Sequence, residues 1–353
     1  MDNLTHGLLG LAIGALRRPD GARRPQTPGL GPRLQAPGLR WTSPTDRAVL
    51  LGCAIAAELP DLDDLLPAAD PVLHALATHR GISHALVLSP VWAAVATLLA
   101  RLVFRRARPL PVLFFSWAAV VFAHLAADLW TGWGTRIFLP FSDRRFSLDY
   151  VAVIDPFFTL PLLAGAIAAG LRRWSWRRFL LAGLVVSTAY LGVRIGSRHL
   201  LVHRVEAAYP AATRVEVFPA LLEATSWRYA AELPDGYEVG RISLDGPPVP
   251  AKRHPLPPPL PRHLAENPTV AEALVWARLP LVRTRAEGEA IEVRVADLRY
   301  HIDGDPTLEF VVLVDPEGRT LDARLERGGN VRQVWERWRN ERRTWDEGEV
   351  PVR

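Results

Sequence analysis

The chain has 353 residues, 49% of them hydrophobic, with 42 lysines and arginines against 37 acids, a formal net charge of +5. The basic residues of the first half sit in short clusters between apolar runs, which argues against nucleic acid and for membrane topology. A single cysteine, Cys53, excludes an internal disulfide framework and any thiolate zinc motif.

Residues 1–199 carry the long apolar runs and residues 200–353 read as an ordinary soluble sequence. The expected fold is therefore a mainly α membrane helix bundle of about six apolar helices, some short, followed by a small β-rich soluble domain. Leu4–Leu16 comes first; the acidic Asp2 stands where a signal peptide would carry basic residues, so this helix is expected to remain in place. Residues 17–47, rich in proline, glycine and arginine, read as a flexible loop. Ala48–Leu59 follows, as short as the first run. A hydrocarbon core of roughly 30 Å needs about 20 residues, so these two are short helices held in the bundle or re-entrant segments. His84–Phe104, Leu110–Trp130 and Val151–Leu171 are long enough to span, and Phe179–Gly196 is slightly shorter.

Arginines cluster in alternate loops: residues 17–47, then Arg101, Arg105, Arg106 and Arg108, then Arg172, Arg173, Arg177 and Arg178. The other loops hold only Arg80, Arg136, Arg144 and Arg145. By the positive-inside rule the first set is cytoplasmic, and six crossings leave the C-terminal half outside. Beyond residue 200, alternating segments near Arg214–Phe218, Trp227–Glu232, Tyr237–Leu244, Ile291–Val295 and Phe310–Val314 read as strands. Pro247–Pro261 reads as an extended connection and Val331–Arg343 as a charged helix.

Ionisable groups at the ends of apolar helices are costly and mark function. Five clusters stand out: Asp2/His6, Glu58 with Asp61, Asp63 and Asp64, His79/His84, His124/Asp128, and Asp149/Asp155. The arginine-derived topology places all five at the outer side. His124 and Asp128 are four apart and share one helix face. His79 and His84 are five apart, which puts His79 in the loop and His84 in the first turn, with Gly81 allowing the bend. The Pro60–Asp64 turn crowds carboxylates whose repulsion a divalent cation would remove. Imidazole and carboxylate without thiolate suit zinc, with manganese or iron as alternatives, as one ion or as a pair. The metal ligands read from this pattern are His6, Asp61, His79, His84, His124 and Asp128, with Asp63 or Asp155 as general base. Competing readings are helix packing for His6 and helix capping for Asp155, which precedes Pro156. Glu58 reads as a group supporting the ligands. Arg136, Arg144 and Arg145 read as solvated charges or as contacts to an anionic substrate group. His74, His199, His203, His263 and His301 have no partner pattern and read as structural or surface residues.

Met1-Asp2-Asn3-Leu4-Thr5-His6-Gly7, Leu59-Pro60-Asp61-Leu62-Asp63, His79-Arg80-Gly81-Ile82-Ser83-His84 and the stretch from His124 to Pro161, with Pro140-Phe141-Ser142-Asp143-Arg144-Arg145-Phe146 at its core, resemble the YdjM-type family of bacterial inner-membrane, metal-dependent hydrolases. The resemblance covers residues 1–170 and extends loosely to Phe218-Pro219, Trp227-Arg228 and Asp297-Leu298-Arg299-Tyr300. It implies a multi-pass protein of the inner membrane with metal-dependent hydrolytic activity. In ligand type and order, His6, Asp61, His84, His124 and Asp128 also look like counterparts of the zinc ligands of zinc-dependent phospholipase C, which favours phosphoester substrates. The expected function is hydrolysis of a lipid or envelope-associated ester or phosphoester by a metal-activated water. The alternative is a metal-stabilised membrane scaffold whose outer domain binds a partner.

Overall fold

A computed structural model describes residues 1–17, 43–65, 67–171 and 176–327. Most of the loop at 17–47 and the helix expected at Val331–Arg343 lie outside the described residues. The chain divides into two compact units, residues 1–63 with 80–194, and residues 64–79 with 195–353.

The first unit opens with α1 (Asn3–Gly14), started by the Asp2 carboxylate accepting from the Thr5 backbone N–H at 3.0 Å. Next is α2 (Pro44–Ala56), begun by a Ser43/Asp46 capping box with Pro44 in its first turn. At 1.5 Å per residue these helices of 12 and 13 residues are about 18–20 Å long, short of a ~30 Å core. They pack closely: a Cβ on Gly10 of α1 would meet the Cys53 carbonyl oxygen of α2 at 2.5 Å. A tight three-residue-per-turn helix, Leu59–Leu65, follows α2.

Segment 64–79, of the second unit, holds the short α3 (Pro71–Leu73) and the wide-turned His74–Thr78. The first unit resumes with a turn at Ile82–His84 and then α4 (Ser89–Val103). Small residues of α4 face inward (Ser89, Ala93, Ala96, Thr97, Ala100) while Val91, Leu98, Leu102 and Val103 lie exposed, the pattern of a helix turned to lipid. The next helix runs Pro109–Leu129 as α5 (Pro109–Ala118), a wide-turned stretch Ala119–Leu125 and α6 (Ala126–Leu129). Then come α7 (Pro156–Leu171) and the 33-residue α8 (Trp176–Ala208).

Among the described residues three helices, Leu86–Val103, Pro109–Leu129 and Trp176–Ala208, are long and apolar enough to cross a membrane, rather than about six. The first two apolar runs stop at 12 and 13 residues because Gly14 and Ala56 are followed by turns. The run at Val151–Leu171 loses its start to the loop before Pro156, leaving a helix of 16 residues.

The second unit holds two four-stranded antiparallel sheets and a ribbon. One sheet has the order β1 (Arg214–Pro219), β2 (Ser226–Leu233), β3 (Gly236–Ser243), β4 (Val249–His254). After α9 (Arg262–Ala265) and α10 (Pro268–Trp276) come β5 (Pro280–Glu287), β6 (Ala290–Asp297), the ribbon β7 (His301–Ile302) and β8 (Asp305–Pro306), β9 (Leu308–Val314) and β10 (Thr320–Arg327). The second sheet is ordered β10-β9-β6-β5. Phe218, Tyr237, Val239, Leu281 and Leu298 form one core cluster, and Leu201, Val205, Trp227, Tyr229 and Ile242 another.

The Pro247–Pro261 connection is corrected in part. Val249–His254 within it is a strand, which proline tolerates because β4 is a sheet edge and the register slips between Val239 and Gly240, opposite Pro250.

Candidate metal centre

Four segments of the first unit deliver the polar groups. α1 supplies His6, the Leu59–Leu65 turn Asp61 and Asp63, the Ile82–His84 turn Ser83 and His84, and the Pro109–Leu129 helix His124 and Asp128. His6, His84, His124 and Asp128 are buried completely. One donor atom each from Asp61, His84, His124 and Asp128 falls within a mutual 4.8 Å.

The tautomers follow from what each ring touches. His124 Nδ1 lies 2.6 Å from the Ala57 carbonyl oxygen, and His6 Nδ1 lies 2.8 Å from that of Ala123. A carbonyl only accepts, so each Nδ1 carries the proton and each neutral ring turns a bare Nε2 inward. His84 Nδ1 lies 2.9 Å from Ser83 Oγ, whose own proton goes to the Asp63 carboxylate in a short hydrogen bond. That leaves Ser83 Oγ to accept from His84 Nδ1–H, so the third Nε2 also faces the centre.

The three Nε2 atoms meet carboxylates and one another. His84 Nε2 is 3.0 Å from His124 Nε2, 3.1 Å from Asp61 Oδ1 and 3.3 Å from Asp128 Oδ2. His124 Nε2 is 3.6 Å from Asp61 Oδ1 and 3.7 Å from Asp128 Oδ2. His6 Nε2 is 3.3 Å from Asp128 Oδ1, and its ring stacks on His124 with centroids 4.2 Å apart. Lone pairs aimed at lone pairs inside a buried space repel unless a proton or a cation stands between them. His6 Nε2 and Asp128 Oδ2 are buried without a hydrogen-bond partner, and this donor set fits a divalent cation. Held between protein carbonyls or carboxylates and the centre, the rings have the arrangement that orients metal-ligating histidines.

Protonation answers the same geometry when no cation is present. Burial disfavours the His84 imidazolium, but hydrogen bonds to Asp128, Asp61 and Asp63 overcome it and push the pKa up to about 10. Burial likewise opposes charge on Asp61, yet the His84 hydrogen bond and the nearby His124 bring its pKa down to about 2.

The structure gives the remaining expected residues the following surroundings. Asp63 Oδ2 lies 3.5 Å from His84 Nδ1 and takes the Ser83 hydroxyl proton, so it orients His84, and one of its carboxylate oxygens lies within 4.8 Å of one of Asp61. Asp155, the other expected base, accepts from the Phe157 and Phe158 backbone N–H groups at 3.1 and 3.3 Å and from Tyr190 Oη at 3.1 Å, and so caps α7. His84 sits in its own turn before α4, and the left-handed bend at this point falls on Arg80 (φ 56°), with Gly81 at φ −89°. His79 belongs to the segment that clusters with the second unit.

Arg80 and Ser83 were missed as site residues. Arg80 Nη2 donates to Asp128 Oδ1 at 3.0 Å and Nη1 to Thr131 Oγ1 at 3.1 Å. The Met1 amino group also bonds Asp128 Oδ1. Their sequence signal was position alone, Arg80 and Ser83 lying between two histidines.

A family model described as YdjM inner membrane protein matches residues 1–201. The chain is also 24% identical, over 320 residues, to a Bacillus subtilis (strain 168) protein described as "Uncharacterized protein YfhP", covering 89% of this chain and 90% of that relative. No solved structure matches.

Proposed function

The chain belongs to the YdjM inner membrane protein family, and from that premise we propose that it is a membrane-bound, metal-dependent hydrolase of a lipid or envelope-associated ester or phosphoester. The observation that supports this most is the convergence of the buried His84 and His124 on Asp61 and Asp128, with His6 reaching Asp128, each ring bonded through Nδ1 to the protein. His6, Asp61, His84, His124 and Asp128 would hold the ion, zinc by donor type with manganese or iron as alternatives, singly or as a pair. When bound, such an ion lowers the pKa of water and stabilises charge on the attacked group.

The chain's own residues do the rest. The backbone carbonyls of Ala57 and Ala123 fix two rings, and Asp63 through Ser83 fixes the third. Burial of the rings excludes bulk water. In hydrolysis of a phosphoester, a water gives up one proton as its oxygen bonds to phosphorus, the bond from phosphorus to the leaving oxygen breaks, and the leaving oxygen takes up one proton. Asp61, with its side chain 12% exposed, is the most accessible of the five donors and faces the route by which substrate would enter. On this reading the centre opens at the outer interface, and the second unit is extracytoplasmic, as the arginine clusters of the first half suggest.

Metal content and phosphoester and lipid hydrolysis of detergent-purified protein test the reading. His124→Ala and Asp128→Ala should lose ion and activity together while still inserting in the membrane. Full ion content in both variants contradicts it. The near-complete burial of four of the five donors also favours a second reading, a scaffold in which the ion joins the helices. Chelation would then unfold the helices, and no ester in a broad panel would be hydrolysed.

A further inference from the structure

We propose that Arg80 is the anion-recognising residue of this centre, and that it selects a phosphoryl group over a carboxyl ester. The proposal rests on the metal-centre reading above and names its substrate class.

The Arg80 side chain is only 6% exposed and points at Asp128, the carboxylate that every imidazole of the centre approaches. Oδ1 of Asp128 faces Arg80 and His6, and Oδ2 faces His84 and His124. One negative charge therefore serves two sets of neighbours. A cation held by the inward Nε2 atoms draws on that charge, and the guanidinium is left under-compensated in a buried place, which is costly.

The guanidinium also has capacity to spare. Nη2 reaches Asp128 and Nη1 reaches Thr131, while Nε is buried with no acceptor. A buried donor without a partner is costly, and an anionic oxygen arriving beside Nε would relieve both deficits. A planar fork of N–H donors matches phosphate oxygens and carries a permanent charge. A carboxyl ester is neutral and cannot compensate the cation.

The backbone at this residue is bent and tied to a second loop. Arg80 takes a left-handed φ of 56°, which a non-glycine residue adopts at a cost, although Gly81 stands next to it. The Arg80 carbonyl accepts from the Arg136 N–H at 3.1 Å, which ties the bend to the loop after α6. A plain counter-ion to Asp128 would account for Nη2 and leave the unpartnered Nε without a role.

The test uses full-length, metal-loaded protein in detergent, titrated calorimetrically with inorganic phosphate, with the neutral ester ethyl acetate, and with short-chain phosphatidate in mixed micelles. Phosphate or phosphatidate should bind at least tenfold more tightly than ethyl acetate. Binding of inorganic phosphate assigns a free phosphate, and binding in micelles alone assigns a lipid headgroup. Arg80→Gln should lose at least tenfold of that affinity with ion content unchanged, and Arg80→Lys should recover part of it. Phosphate no better than ethyl acetate, or affinity undiminished in Arg80→Gln, overturns the proposal. Joint loss of ion and phosphate in Arg80→Gln overturns it in favour of a counter-ion. If Arg80→Gln does not fold, Arg80→Lys and the wild-type preference decide. A chain that takes up no ion fells the metal reading itself. Phosphate binding without turnover fells the hydrolase reading and leaves Arg80's role standing.

Discussion

Asp63 offers a graded test of how the centre is built. Its carboxylate takes the Ser83 hydroxyl proton in a short hydrogen bond, and Ser83 Oγ lies 2.9 Å from His84 Nδ1. Asp63→Asn keeps an acceptor for Ser83 but removes the charge. Asp63→Ala removes both and frees the Ser83 proton to point back at His84, where it forces the ring to turn or change tautomer. Loss of such an orienting partner costs 10–100-fold in metal affinity, about 1.4–2.7 kcal/mol. We expect Asp63→Asn near the lower end and Asp63→Ala near the upper, with Ser83→Ala close to Asp63→Ala. Competition against a metal-binding indicator measures the affinity, and activity at saturating metal should return to near the wild-type value in all three. If Asp63→Asn binds metal as tightly as wild type while turnover collapses, the carboxylate acts on the substrate as a base and the relay through Ser83 is wrong.

Other predictions follow from close packing and from charge. Gly10→Val should disrupt the first unit, because the Cys53 carbonyl lies 2.5 Å from any Cβ at that position; overpacking of this kind costs about 1–3 kcal/mol, and a thermal midpoint equal to wild type would refute the tight α1–α2 contact. Without metal, His84 stays protonated up to about pH 10, whereas Asp61, with its pKa brought down to about 2, is already ionised. Metal uptake at pH 8 should therefore expel about one proton per site, by the general coupling of ligation to deprotonation; calorimetry in two buffers of different ionisation enthalpy counts it, and zero release contradicts the assignment. In the second unit Trp227 is fully buried, so Trp227→Ala should cost about 3–5 kcal/mol, read as a lower denaturation midpoint of that unit; an unchanged midpoint would mean this core does not hold the sheet.

What the sequence made legible was chemistry at helix spacing. His124 and Asp128, four apart, do turn toward one centre, and the apolar runs at His84–Phe104 and Leu110–Trp130 match helices that could cross a membrane. Directions inside turns were not legible. Nothing in the spacing from Leu59 to Leu65 told that Asp63 would bond Ser83 while Asp61 met His84 Nε2, because both contacts come from a turn twenty residues further on. Arg80 looked like a loop charge because its role comes from a left-handed backbone that favours glycine, the residue beside it. In the second unit the proline-rich stretch hid β4, whose edge position tolerates proline. β5 and β10 carry charges at many positions and lacked a clean apolar alternation. The short helices were ambiguous because an apolar run of 12 or 13 residues suits a buried helix as well as part of a span.

The central claim is that these imidazoles and carboxylates hold a cation. Elemental analysis of detergent-purified protein, before and after chelation and reloading, tests it most directly when paired with His84→Ala. The account predicts one or two divalent ions per wild-type chain and their loss in the variant. Wild-type protein that stays free of divalent metal after reloading, while folded, would contradict it.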